Sequence, residues 1–376
     1  MGDHRLTLPR DRLKTWMPAA LVAAVLLGGG PVLGESPLTR GSPSSGVSPA
    51  PGRSVPYPIH AMGTYVNVTL VTADSAASAA DAAAAHAAIR LVDSLMSNWT
   101  TTSEVARINR VADSVTTPVQ PLVGDVIARS LRIWRESDHT FDITVEPLVR
   151  AWGFIGGPRR VPSDAEARAA WALVGAGDVQ FDSAAGTIHF ARRGMRIDLG
   201  GIAKGYAVDQ AMRALRARGV TAALVDASGN MMSLGHPPVA AHWRIGLRDP
   251  RDRVPYFARI WLDGDAISTS ANYEQFVAKD GKRYGHILDP RTGQPASGLL
   301  AVTVVAADAT TTDSWDTPLY VLGLEAARAK LLEHQDIAAV LVAPGEGRDT
   351  VWVESFLKPR FALEPNAERW FVVRYF

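Results

Sequence analysis

The chain has 376 residues, 47% of them hydrophobic and 20% charged, with a formal net charge of +1. That length and apolar content support a large buried core, and the balanced charge offers no basic surplus for a nucleic-acid partner. With no cysteine in the sequence, disulfides, thiolate metal sites, cysteine nucleophiles and a lipid-modified N-terminal cysteine are all excluded.

Residues 1–34 read as a signal peptide. Arg5, Arg10, Arg12 and Lys14 make a basic start, residues 19–27 are apolar, and Val32-Leu33-Gly34 offers small residues for cleavage. The apolar run is shorter than the ~20 residues that a membrane span needs. Residues 35–58 are rich in Ser, Pro and Gly and read as a flexible linker. The expected organisation is an exported, periplasmic or otherwise extracytoplasmic domain over 59–376, held on a tether.

Within that domain, residues 65–71 alternate as a half-buried strand. Residues 75–96 are alanine-rich and place Ile89, Val92, Leu95 and Met96 on one helical face. Thr102 or Ser103 suits the N-cap of a short helix through Ile108, a further helix is expected over 123–137, and Ser163 with Glu166 makes a capping box. Residues 179–181 and 187–190 read as a hairpin. Ile197-Asp198-Leu199-Gly200-Gly201-Ile202-Ala203-Lys204-Gly205 opens as a strand and continues as a helix that stops at Gly219. Strands are expected at 222–226, 243–247, 258–262 and 301–305, helices at 313–322 and 325–334, and a closing hairpin at 337–342 and 350–353. The mixture lacks a regular β-α-β rhythm, which points to a mixed α/β (α+β) fold.

Several constellations carry possible chemistry. A glycine pair between strand and helix leaves backbone N–H groups free for an anion, and Lys204 in the first helical turn adds a positive charge. The spacing is neither that of a Walker loop nor G-x-G-x-x-G; by itself it equally describes an ordinary turn with a surface lysine. Phe141-Asp142-Ile143-Thr144, followed by Trp152-Gly153-Phe154, supplies polar groups and aromatic walls for a planar ring, or simply a capped turn leading into core. His286 precedes the turn Asp289-Pro290-Arg291-Thr292-Gly293, where a loop can present it as a general base or a strand end can bury it. Asp313 and Thr317 are four apart, so on a helix they share a face and offer hard oxygen ligands for Mg²⁺; Thr312 or Asp313 equally suits an N-cap, and Asp316 is a spare carboxylate. Met62-Gly63-Thr64 offers a methionine that can pack on a flat ring or serve as core.

Together, and in their order along the chain, these segments resemble the ApbE family of flavin transferases, which move FMN from FAD to a protein threonine or serine. The resemblance runs from about Met62 to Gly323. It implies a fold of two interleaved lobes with mixed sheets and the flavin between them. It places FAD contacts on Met62, Trp99, Thr140, Phe141, Asp142, Asp198, Lys204, His286 and Ile287, and Mg²⁺ on the Gly201 carbonyl, Asp313 and Thr317. His286, Lys204 and Asp313 are the implied catalytic groups, the partners are FAD and an acceptor protein, and AMP is the implied product. Two departures stand out: Ser228-Gly229-Asn230 where the family often has Gly-Gly-Asn, and Thr269-Ser270-Ala271 where it often has Thr-Ser-Gly. The same site would serve an FAD pyrophosphatase giving FMN and AMP. A non-enzymatic exported FAD-binding protein is the third reading, and the intact Asp313/Thr317 pair argues against it.

Overall fold

The computed structural model describes residues 52–272 and 275–376. The expected signal peptide and residues 35–51 of the expected linker lie outside them.

Nine strands line up across the main sheet in chain order. They are β1 (Arg53–Ala61), β2 (Thr64–Thr72), β3 (Ala223–Ala227), β4 (Asn230–Leu234), β5 (Ala266–Ala271), β6 (Ala301–Ala306), β7 (Ile337–Ala343), β8 (Asp349–Val353) and β9 (Phe371–Tyr375). Neighbours are antiparallel throughout except β8 and β9, which run parallel. The central strands β6 and β7 are buried at every position. Covered on both faces, they read as continuous Ala/Val/Leu runs rather than as an alternation.

The two faces of the sheet bury different partners. Val302, Val304, Ala339 and Leu341 join a core with three helices: α1 (Ser75–Met96), α2 (Ala203–Ala217) and α3 (Ala309–Leu322). Val305, Ala338, Val340 and Val342 pack instead against a three-stranded sheet of Trp243–Arg248, Tyr256–Leu262 and Phe361–Leu363. Each large aliphatic side chain buried this way contributes about 1.5–3 kcal/mol. A smaller apolar cluster of Leu148, Trp152, Phe154, Val277 and Leu288 stands apart. Its residues come from either side of α2 through β5, so the chain crosses between the two bodies more than once. The mixed α/β class and the interleaving follow directly.

Three sequence expectations need correction. The linker over 35–58 runs too far, because Arg53–Pro58 belongs to β1, paired along its length with β2. Pro56 and Pro58 conceal the strand in the sequence, but β1 is an edge strand, where a missing N–H costs no ladder bond on its open side. The Met62-Gly63 turn closes this hairpin with φ of 53° and 71°, the primed-turn conformation that matches strand twist. Second, the stretch before Gly200 is extended but joins no sheet. The side-chain amide of Asn109 takes the place of a neighbouring strand: its Oδ1 accepts from the Ile197 N–H at 2.8 Å and its Nδ2 donates to the Ile197 carbonyl at 2.8 Å. Third, the hairpin of β7 and β8 does not close the sheet, since β9 adds beyond it.

The first correction has a measurable consequence. A chain starting at Ile59 discards six of the nine residues of β1 and bares the edge of β2. It is expected to lose thermal stability and to aggregate, whereas a chain starting at Gly52 keeps the full-length melting temperature. Calorimetry of the two forms checks this.

Candidate active site

Lys204 is the point where the distant segments meet. The turn that carries it begins at Ile197, fixed by Asn109, and Asp198 donates its backbone N–H to the Ile143 carbonyl at 2.6 Å. The Asp198 carboxylate folds back to accept from the Gly200 N–H at 2.8 Å. A Cβ on Gly201 would stand 3.1 Å from the Phe141 ring, so the glycine lets the ring lie close against the turn. Helix α2 then starts at Ala203 with no side chain capping it. Lys204 directs its Nζ to within 3.4 Å of the Gly200 carbonyl and 3.6 Å of Asp313 Oδ1.

Asp313 comes from α3, which starts earlier than the sequence suggested. Asp308 is its N-cap, accepting from the Thr311 N–H at 2.8 Å. Neither Thr312 nor Asp313 is a cap, and both are inside the helix. Asp313 is 3% exposed, and its Oδ2 accepts the Gly205 N–H at 2.8 Å. A Cβ on Gly205 would fall 2.0 Å from the Ala309 carbonyl oxygen and 2.7 Å from Asp313 Cβ, so only glycine lets the two helices approach this far. One turn along α2, Asp209 accepts from the N–H groups of Ala309 and Thr310, both at 2.8 Å. Gly205 and Asp209 thus clamp the start of α3 onto α2. Gly205 ends the quoted motif and Asp209 lies one turn beyond it; their spacing of four is the signal, one helical face turned toward a partner.

Around Asp313 the remaining donors are oxygens. Thr317 Oγ1 lies 2.9 Å from Ser270 Oγ and donates to Asp316 Oδ1 at 3.1 Å. Asp316 also accepts from the Ser268 and Ser270 hydroxyls, and Ser268 Oγ lies 2.7 Å from Asn230 Oδ1. Burial, and next the Asp313 charge beside it, push the Asp316 carboxyl up to about 7. Two buried carboxyl groups three residues apart therefore share the charge of one lysine. That excess of hard, anionic oxygen is a good chemical match to a small divalent cation. Burial, more than any neighbouring charge, also raises the Asp198 carboxyl; Glu146 adds to the effect, and the Gly200 bond and Lys204 oppose it.

His286 comes from the smaller body, on the loop between Lys282–Gly285 and Leu288–Asp289, and the Lys204 charge acts on it. Its ring stands edge-on to Phe154, with centroids 6.3 Å apart, so Phe154 walls the histidine, while Trp152 packs on Tyr284 with centroids 5.6 Å apart. Its Nδ1 is 3.2 Å from the Gln275 carbonyl. A carbonyl only accepts, which puts the proton of the neutral ring on Nδ1 and the lone pair on Nε2. Burial is the largest cause lowering its pKa, to about 4, with the Lys204 and Arg159 charges helping and the Gln275 bond opposing. His286 is therefore neutral at pH 7. Because the folded value lies below the ordinary 6.5, stability from this group is full above 6.5 and is lost as pH falls through about 4. An NMR titration of the His286 ring is expected to show it neutral down to about pH 4; a midpoint near 6.5 would contradict this environment.

Of the other implied flavin contacts, Phe141 lies against the Gly201 turn, whereas Met62, Thr140 and Asp142 are held by partners outside it. Asn98 donates to the Ile197 carbonyl at 3.2 Å, which sets the exposed Trp99 beside the Asp198 turn. Met62 is half-buried, its N–H bound to Asp93 Oδ2 at 2.8 Å near the end of α1. Ile287 is buried next to His286. The Thr140 hydroxyl is buried and donates to the Ser137 carbonyl at 2.6 Å. Asp142 accepts from Thr144 through Oδ1 and from the Ala176 N–H at 2.9 Å through Oδ2; it also lines an open cavity of about 430 Å³ with Trp134, His139 and Trp171. Sequence reasoning missed Glu146, a buried carboxylate bound to Arg150 at 2.5 Å whose Oε2 has no hydrogen-bond partner among the described residues.

Comparison with known proteins places the chain in a family. A model of the ApbE family matches residues 62–341. The chain belongs to the ApbE family. A FAD:protein FMN transferase of Klebsiella pneumoniae (strain 342) is 34% identical over 361 residues, covering 94% of this chain and 99% of the relative. One from Salmonella typhimurium (strain LT2) is 32% identical, covering 81% and 89%. The flavin transferase ApbE from Vibrio cholerae superposes with a TM-score of 0.75 at 28% identity, covering 82% of this chain and all of that one. The departures from the ApbE pattern sit easily in the fold. Ser228 adopts φ of 55°, the conformation a glycine takes without cost, in the turn joining β3 and β4. Ala271 is an ordinary residue of β5, paired with Ala301.

Proposed function

We propose that this protein transfers FMN from FAD to a threonine or serine hydroxyl of an exported acceptor protein, releasing AMP. The observation that carries the reading is the convergence on Lys204. Its charge lies 3.6 Å from Asp313 and acts on Asp198, Asp316 and His286, residues supplied by three separate stretches of chain. Such a centre suits a polyanion held beside a general base.

In this reading the bond formed joins the acceptor oxygen to the FMN-side phosphorus, and the bond broken frees AMP. A Mg²⁺ held by Asp313, Thr317 and the Gly201 carbonyl would offset charge on the pyrophosphate. Lys204 adds a fixed positive charge on the same side. His286 supports the role of base, since its ring is neutral and Nε2 carries the lone pair; the hydroxyl proton would pass there. Trp99, Phe141, Met62 and Ile287 would bound the flavin, and the Asp198 turn its phosphates. The resemblance and the oxygen-only donor set support magnesium over zinc at this centre. EDTA is expected to abolish AMP release and added Mg²⁺ to restore it; full turnover in metal-free buffer would refute the assignment. The whole reading is tested by mixing protein, FAD, Mg²⁺ and candidate exported acceptors, then reading flavin fluorescence on denatured acceptor. Free FMN without an acceptor would favour the pyrophosphatase.

A further inference from the structure

A second cluster of ligating side chains lies outside this centre. His236, His242 and Asp263 are exposed, and one ligand atom from each comes within 4.8 Å of the other two. His236 Nδ1 is 3.9 Å from Asp263 Oδ1, and the two imidazoles meet edge to face with centroids 6.1 Å apart. We propose that these three side chains form a surface site for a late first-row divalent cation, Zn²⁺ by its chemistry, distinct from the oxygen-donor site at Asp313.

The donor set makes the case for zinc. Two imidazoles and one carboxylate are the mixed N/O ligands of a three-residue zinc site with an open position, whereas Mg²⁺ prefers oxygen alone. Ligand atoms of a tetrahedral zinc stand about 3.3 Å apart. Closing from 4.8 Å takes small rotations of side chains that solvent leaves room to move.

The backbone beneath these side chains is held in place. Trp243, next to His242, donates its indole N–H to the Gly235 carbonyl at 2.9 Å, next to His236. Gly235 has φ of 52°, and a Cβ there would fall 2.2 Å from the Thr221 carbonyl oxygen. Pro237 and Pro238 stiffen the loop between the histidines. The Asp263 turn is tied to β4 as well, because Gly264 donates to Ser233 Oγ at 3.1 Å and Ser233 Oγ donates to the Asp265 carbonyl at 3.0 Å. A bound cation would pin the edge of the three-stranded sheet to the end of β4. That end lies away from the active centre: Asn230, which meets Ser268, opens β4, and Leu234 closes it, roughly 13 Å further on.

The test uses the untagged full chain, stripped with EDTA and kept in saturating Mg²⁺, with Zn²⁺ titrated against a chromophoric chelator. One zinc per chain is expected, accompanied by a rise in melting temperature. His236→Ala and His242→Ala should each weaken zinc binding about tenfold or more, with AMP release from FAD unchanged. His60→Ala, at another exposed histidine, should bind as the parent does. Absence of zinc binding at micromolar free metal would overturn the proposal, as would binding that survives both His236→Ala and His242→Ala.

Discussion

Asp313→Ala is expected to lower AMP release from FAD about a hundredfold or more while weakening FAD binding far less. Asp313 touches Lys204 and also anchors α2 through the Gly205 N–H. Its removal takes away the charged ligand of the proposed metal without adding bulk. Electrostatic stabilisation of this kind is often worth ~3 kcal/mol or more in the transition state, which sets the hundredfold scale. The flavin walls are untouched, so binding measured by fluorescence quenching should change modestly. Asp316→Asn is the paired variant. It keeps one oxygen to accept from one of Ser268 and Ser270 and turns an amide N–H toward the hydroxyl oxygen of the other, and its expected loss is smaller. Equal turnover by Asp313→Ala and the parent would refute the site; a dead Asp316→Asn beside an active Asp313→Ala would move the essential carboxylate by one helical turn.

Gly205→Ala should damage fold and function together. A methyl group placed 2.0 Å from the Ala309 carbonyl oxygen cannot be relieved by a side-chain rotation, because the obstacle is backbone. Helices α2 and α3 must separate, breaking the Gly205–Asp313 bond and loosening the Asp209 clamp. Overpacking of this type costs about 3 kcal/mol, and more when backbone is displaced. The expected result is a melting temperature lower by several degrees and a greatly reduced rate. Gly219→Ala is the comparison, since a Cβ there meets nothing within 4 Å and the price is only that of its φ of 81°. A Gly205→Ala protein with parental stability would show that the helix contact is looser than the structure has it.

What the sequence made legible follows from local physics. Alanine spacing and caps marked α1, the Ser163 capping box and the helix after Lys204, because those signals act within one or two turns. Strand β1 escaped because Ser, Pro and Gly just before it masked an alternation of Val55, Tyr57 and Ile59, and an edge strand tolerates the prolines. The strand expected before Gly200 failed for the opposite reason. Its pattern is right, but its hydrogen-bond partner is a single side chain, Asn109, 88 residues away. Strand β5 turns Ser268 and Ser270 toward Asp316 and β4 turns Asn230 toward Ser268, so both lack the apolar alternation of ordinary strands. In the site, Lys204, Asp313 and His286 were readable as residue types at suggestive spacings. Their meeting was carried by the family resemblance, because no local rule joins a helix start, a loop histidine and a second helix. Glu146 left no signal beyond a glutamate before a proline.

The most direct test of the central claim counts products from one reaction. The full chain, FAD and Mg²⁺ are incubated with an exported acceptor, and AMP and protein-bound FMN are quantified after denaturation. The account predicts equal amounts of AMP and covalent FMN, the flavin lying on a threonine or serine of the acceptor, and neither product from Asp313→Ala beyond about a hundredth of the parental rate. FAD that binds the parent and stays intact, with no AMP formed in the presence of a competent acceptor, would contradict it.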